Sequence, residues 1–505
     1  DDEMEGLGIM RITSFILCFS SCVHLTFIEC KESFFPDKSI VSFVGDSITQ
    51  CGSFHRNIYQ YFVTRYSELN ITFYNRGISS DTLSGLMTRL SYDVLSSNPT
   101  HVALMFGMND LGGYFERTKF PKVLADSMDS ADLQKFRETL QELVLLLRAK
   151  NISTTLQSVT VYDSTMDSKV PNAIHKPTVL IEGNRIIQSI SQKNQLLMVD
   201  YWTIMSNINS EIQKLHPNNT IVGLDRVHPG PLGNFVMTYA FLNATEKPSV
   251  VSHMVLGEDA ASSQRASSNC LVHSLIRPNN SKSKDGEDLS MVVEAVISEQ
   301  ALPFVIADDQ RKALGLVPFV KDFNTELLQV LGLGDSGGIG SNPGGLKPSG
   351  GGDYKLSIDG VKVGVFSGAA LAFGVNLALH KRTPQYLQAI QVRQVLMKLW
   401  AVEQMDRRVK YVEHQFMKPF YANRSMFAAD VNFMEAEKYL VDYIMESSRK
   451  NLNQSFTHYL KFKREEANLE VEMQSLRTQA RALAAPKPHT YTLERARQED
   501  YDHHP

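Results

Sequence analysis

Between Ser39 and Asp200, short β-branched or aromatic runs alternate with longer segments of helical period, and no other feature restricts the fold of this chain as much. Strands are expected at Ser39–Val44 (SIVSFV), Ile71–Asn75 (ITFYN), His101–Phe106 (HVALMF), Ser153–Val161 and Leu196–Asp200. Helices are expected at Phe54–Leu69, Thr82–Leu95, Ala131–Lys150 and near Val179–Gln192. Strands separated by helices of this length pair in parallel through crossovers, which gives an α/β fold with helices on both faces of one sheet. In such sheets the reactive groups gather in loops beyond the carboxyl ends of the strands.

The remaining length and composition set limits around that sheet. At 505 residues the chain exceeds one ordinary core, and roughly 150 residues per domain predicts about three units. With 43% hydrophobic and 21% charged residues, wholesale disorder and a polytopic membrane protein are excluded. The formal charge of -4 gives no excess that would draw nucleic acid or anionic lipid, so no nucleic-acid partner is expected. Residues 1–31 are expected as a leader with a secretory signal, because an apolar, uncharged stretch from Ile12 to Ile28 follows Arg11. A retained anchor is the competing reading of the same stretch, and with the signal removed no stable membrane span is expected. Seven Asn-x-Ser/Thr sequons (Asn70, Asn151, Asn218, Asn243, Asn279, Asn423, Asn453) fit a secreted or luminal glycoprotein. Cys51 and Cys270 are expected as buried free thiols, and the absence of CxxC pairs and His-rich clusters predicts no metal and no other cofactor.

Past residue 246 the texture changes. The α/β pattern occupies 36–246, a mixed β/α extension 247–383, a helical segment 384–483 and a flexible tail 484–505. Gly257–Asp288 is polar and Ser-rich and reads as a long loop or an irregular crossing, and 332–352 reads as a Gly-rich insertion with no phosphate-binding sequence. Val363–Leu379 carries no charge, but its glycines and its length favour a strand running into a small-residue helix over a membrane span. Apolar residues at steps of three and four over Pro384–Phe416 and Ser455–Leu483 predict two helices packed antiparallel, either within one chain or across a homodimer.

Four short blocks fall where the alternation places functional loops. Gly45-Asp46-Ser47 follows the first strand, Asn75-Arg76-Gly77 the second and Gly107-Met108-Asn109-Asp110 the third, while Asp225-Arg226-Val227-His228-Pro229 precedes a helix near Pro231. These residue types suit ester hydrolysis. A serine hydroxyl needs a base to become a nucleophile, and imidazole, with an ordinary pKa of about 6.5, serves at neutral pH. A carboxylate at Asp225 can take the other ring N–H of His228 and fix its tautomer. The N–H of Ser47, the N–H of Gly77 and the amide of Asn109 can serve as an oxyanion hole, each donor worth about 3 kcal/mol. Singly the blocks are ordinary turns and caps; GDS, GxND and DxxH together are expected by chance about once in 10⁴ chains of this size.

The blocks resemble the SGNH subgroup of the GDSL hydrolase family at Ser47, Gly77, Asn109 and His228, and the run Asp225–Asn234 looks like a form common among its members. That resemblance implies a flavodoxin-like three-layer α/β/α domain with Ser47 as nucleophile, His228 as base and Asp225 as its partner, and no metal. It also implies a small-molecule or carbohydrate ester as substrate, cleaved through an acyl-enzyme. The rest of the chain resembles the extension of some bacterial-type members, to which no role attaches. An assembly or binding protein that uses the hydrolase fold as scaffold is the competing reading, against which the intact Ser47, Asn109, Asp225 and His228 argue.

Overall fold

A computed structural model describes residues 33–112, 122–166, 169–277, 291–333, 352–421, 433–447 and 452–501. The expected leader, the Asn279 and Asn423 sequons and most of the Gly-rich insertion lie outside the described residues.

The first element, β1 (Ile40–Gly45), is buried along nearly its whole length, and the strands β2 (Thr72–Gly77), β3 (His101–Met105), β4 (Ser153–Gln157) and β5 (Leu197–Val199) join it in the order β2-β1-β3-β4-β5, every neighbour parallel. Helices α1 (Ser47–Cys51), α2 (Phe54–Arg65), α3 (Leu83–Arg89), α4 (Lys122–Ala149), α5 (Lys176–Asn194), α6 (Tyr201–Leu215) and α7 (Pro231–Thr245) connect and flank these strands. The chain crosses from β2 over β1 to β3, so the strand order reverses beside β1. Such a reversal opens a crevice at the carboxyl ends, and Gly45 is in register there with Gly77 and Met105.

The expected α/β pattern holds, with shifted ends. The strand expected over Ser153–Val161 stops at Gln157, because the N–H of Val159 goes to the Asn184 side chain (2.8 Å) in place of a ladder partner. The helix expected over Thr82–Leu95 is α only to Arg89. It widens into a π turn over Leu90–Val94, where Arg89 and Asp93 are paired and buried (2.5 Å).

Beyond α7 the chain builds two more sheets. Strands β6 (Ser252–Leu256), β9 (Glu326–Val330) and β12 (Val375–Asn376) form a three-stranded sheet. The segment read as a long loop contains α8 (Ala260–Ala266), closed by a capping box between Asp259 and Ser262, and β7 (Cys270–Ile276). Strand β7 is the edge of an antiparallel sheet with β8 (Met291–Glu299), β10 (Asp353–Ile358), β11 (Val361–Ser367) and β13 (Pro488–Arg495), ordered β11-β10-β13-β8-β7. The tail expected to be flexible therefore supplies the central strand of this sheet. Its period is two, with His489, Tyr491 and Leu493 buried and Thr490, Thr492 and Glu494 turned outward. Two short helices, α9 (Phe319–Phe323) and α10 (Gly368–Phe373), complete this part, and β11 running into α10 is the strand-to-helix passage expected there.

Helix α11 spans Pro384–Phe416, started by the Thr383 side chain capping the Tyr386 N–H. It is followed by α12 (Lys418–Tyr421), α13 (Phe433–Ser447), α14 (Asn453–Phe462) and α15 (Glu466–Ala484). Gln388 reaches the Leu483 carbonyl (2.7 Å) while Lys410 meets Glu466 (2.6 Å), so α11 and α15 run antiparallel within one chain. They do not form a separate helical segment. Tyr386, Val392, Leu396, Leu469 and Met473 share one core with Phe43, Phe62 and Phe73 of the α/β half, and residues 34–505 form one compact unit. Among the described residues no helix is long and apolar enough to cross a membrane, and no group of three or more His, Cys, Asp or Glu side chains could hold a metal ion. Cys270 is buried, with its thiol pushed up to about 12 by burial, whereas Cys51 is exposed, against expectation; both are free.

Candidate active site

Strand β1 ends at Gly45, where a Cβ would sit 2.2 Å from Thr49 Oγ1 and 2.8 Å from the Met105 carbonyl, so only glycine lets the chain turn into α1. Asp46 caps that helix through the Ile48 N–H (2.9 Å), and Ser47 is its first residue. The Ser47 hydroxyl lies 2.7 Å from His228 Nε2, and His228 Nδ1 lies 2.6 Å from Asp225 Oδ2. The sequence-predicted serine, histidine and aspartate therefore meet in one hydrogen-bonded chain.

The turn carrying His228 is made by its own residues. Asp225 Oδ1 accepts the N–H of Val227 and of His228 (3.0 Å each), while Arg226 takes a left-handed φ of 71°. Arg226 can hold that conformation because its guanidinium donates to the carbonyls of Asp163 (3.0 Å) and Met166 (2.7 Å). Partial burial would raise the Asp225 carboxyl, but the two backbone donors and the His228 ring outweigh it and hold the group below its ordinary range. Asn234 ties this turn to the serine block. Its Oδ1 accepts from Ser53 (2.8 Å) and Phe54 (3.1 Å), and its Nδ2 donates to the carbonyls of Pro229 (2.7 Å) and Gly230 (3.1 Å).

The opposite flank differs from expectation at Gly77. Its N–H donates to Asn75 Oδ1 (2.9 Å) and so does not face the crevice. The glycine is required because a Cβ there would fall 2.3 Å from the Gln50 nitrogen, which makes Gly77 the seat of α1 on β2 and corrects its assignment as an oxyanion donor. Two residues past the Ile78 N–H, which still extends the ladder to Gly45 (3.0 Å), Ser80 is exposed with φ 63°, and among the described residues its N–H has no acceptor. Sequence reasoning missed Ser80 because a serine in a left-handed turn has no composition signal as strong as glycine. Asn109 donates one amide hydrogen to the neighbouring Asp81 carbonyl (3.0 Å) and reaches Asp46 Oδ2 at a long 3.4 Å.

Two carboxyls, the buried Asp46 and the partly buried Asp110, lie beneath this flank. Burial pushes Asp46 up to about 6 and Asp110 up to about 7, with the N–H groups of Ile48 for the first and of Leu83 and Gly107 for the second opposing the rise only in part. A cavity of about 120 Å³ lined by Thr82, Leu83, Asn109, Asp110, Lys135 and Phe136 adjoins Asn109.

Residues 43–234 match the sequence model of the GDSL-like Lipase/Acylhydrolase family. An acetylxylan esterase of Geobacillus stearothermophilus is 26% identical over 215 residues, 40% of this chain and 90% of that protein. A solved structure described as BT4096, a gut microbial diltiazem-metabolizing enzyme, is 26% identical and superposes with a TM-score of 0.75 over 92% of this chain and 98% of that one.

Proposed function

Given that residues 43–234 form a GDSL-like hydrolase domain of SGNH type and that the chain is a carboxylic ester hydrolase, we propose that it works through an acyl-enzyme on Ser47. The observation that carries this reading is the unbroken relay from Ser47 Oγ through His228 to Asp225, at 2.7 and 2.6 Å. His228 Nε2 takes the hydroxyl proton as Oγ attacks the ester carbonyl, and the tetrahedral intermediate collapses by expelling the alcohol, which leaves with that proton. Water then attacks the acyl group while His228 takes its proton, and collapse returns a proton to Ser47 Oγ as the acid leaves. Asp225, kept ionised, holds the Nδ1–H tautomer and offsets the charge on the imidazolium.

The oxyanion is met by the Ser47 N–H, the Ser80 N–H and the Asn109 amide hydrogen that reaches Asp46 only weakly. An acetyl group on a carbohydrate is the substrate class favoured, since a relative of this chain is an acetylxylan esterase. The test is labelling by a fluorophosphonate together with turnover of esters from acetate to long acyl chains. Wild type should label and should prefer the shortest esters, and Ser47→Ala should lose labelling and about 10⁵-fold or more in kcat with the fold intact. Labelling that persists in Ser47→Ala would place the nucleophile elsewhere.

A further inference from the structure

Helix α11, remote in sequence, crosses directly behind the loop that follows β2. Arg407, His414 and Gln415 are seven and eight residues apart, which at 100° per residue puts all three on one side of the helix. Each contacts the loop or its anchor. Arg407, with no exposed side-chain surface, donates to both oxygens of Asp93 (2.6 and 2.8 Å) and points Nε at the Gly77 carbonyl (3.4 Å). His414 Nε2 lies 2.9 Å from Asp81 Oδ1 and is buried with it. Gln415 donates to the Ser79 carbonyl (3.0 Å), while the Ser79 N–H goes to Gln50 (2.6 Å), whose own amide reaches back to the Arg407 carbonyl at 3.4 Å. Arg89 closes the circuit by donating to Asp81 (2.7 Å), Asp93 (2.5 Å) and the Arg76 carbonyl (3.0 Å).

Asp81 is the junction between this network and the crevice, since its backbone carbonyl holds the Asn109 amide (3.0 Å) and Ser80 immediately precedes it. A separate feature shows how closely α11 is fitted there. In α3, Gly85 leaves room where a Cβ would stand 2.0 Å from Asp81 Oδ1 and 3.3 Å from His414 Nε2.

We propose that Arg407, His414 and Gln415 of α11 are positioning residues for ester hydrolysis, setting the Ser79–Asp81 loop so that the Ser80 N–H and the Asn109 amide converge on the oxyanion. The inference rests on the acyl-enzyme reading above. It makes the helical extension, to which the sequence attached no role, a part of the catalytic unit. Donors displaced by even about 1 Å lose transition-state stabilisation of the order of 10²-fold, while ground-state binding of a small ester is little changed.

The test uses the full chain with p-nitrophenyl acetate, following kcat and KM separately alongside circular dichroism and thermal melting. His414→Leu removes the donor to Asp81 and should lower kcat by about 10- to 100-fold with KM changed by less than about 3-fold. His414→Gln, which keeps an N–H donor of similar reach, should recover most of the loss. If His414→Leu does not fold, Gln415→Ala, at a partly exposed side chain, carries the test and should lower kcat by roughly 3- to 10-fold. A folded His414→Leu or Gln415→Ala with wild-type kcat overturns the proposal, as does a His414→Gln no better than His414→Leu. Wild-type protein that fails to label with fluorophosphonate would sink the acyl-enzyme reading itself, whereas labelled wild type with an unaffected variant sinks only the role of α11.

Discussion

The two flanks of the Ser47 crevice are held by different means. On the His228 side, the turn is shaped by its own Asp225, steadied by Arg226 on the Asp163–Met166 loop and tied to the serine block by Asn234, all within the α/β half. On the Asn109 side, the loop leans on a helix more than 300 residues away, with Asp93 and Arg407 separated by 314 positions and Asp81 and His414 by 333. The first flank is a local conformation that a short motif can encode. The second exists only when the whole chain has folded, so damage to it should reach stability and catalysis together.

The sharpest contrast should come from Asp225→Asn, expected to lower kcat by about 10³- to 10⁴-fold through the wrong His228 tautomer. Because Asp225 is half-exposed, thermal melting should scarcely change, and a large loss of stability would contradict a locally built flank. The counterpart is Asp93→Asn, which leaves buried Arg407 with only the longer contact to Asp406 (3.7 Å) and Arg89 with Asp81 as its remaining carboxylate, and should cost about 3–5 kcal/mol of stability. Burial opposes ionisation of Asp93, but Arg407 and Arg89 prevail and hold its folded carboxyl far below the unfolded value. Its contribution is therefore full above about pH 4 and is lost as the pH falls below that, so wild type should lose stability in acid more steeply than Asp93→Asn. Equal acid slopes by denaturant titration would remove Asp93 from the network.

Asn109→Ala should reduce kcat by about 10²- to 10³-fold and leave KM nearly unchanged, because the oxyanion exists only after attack. An effect confined to KM would reassign Asn109 to ground-state binding. The smallest effect is expected from Ser80→Gly. Relief of the left-handed backbone should add about 1 kcal/mol of stability, and kcat should stay within about 2-fold since the N–H remains. A large fall in kcat would show that the serine side chain, and not its backbone, acts at the crevice.

Ser47, Asp225 and His228 were legible because strand-to-helix turns and an aspartate three residues before a histidine act over distances the sequence itself spans. The amphipathic stripe of α11 was equally legible as a helix, since a period of three and four is a property of neighbours. What it packs on was not, because the same stripe would suit a dimer or a bundle, and the buried Arg407 reads in sequence as one more surface charge. Gly77 was assigned to the right turn for the wrong reason. Sequence marks a place where a Cβ is refused, while only the packed α1 shows that the Gln50 backbone refuses it. Strand β13 escaped notice because three buried residues alternating with threonines and a glutamate form a weak signal until β8 and β10 flank them. The sequence by itself determined the parallel sheet and the serine–histidine–aspartate relay, both products of local geometry and strand order. Tertiary structure alone decided which backbone turns left-handed after β2 and which distant helix packs on that loop, because buried charges such as Arg407 and Asp93 find their partners only when the chain is closed around them.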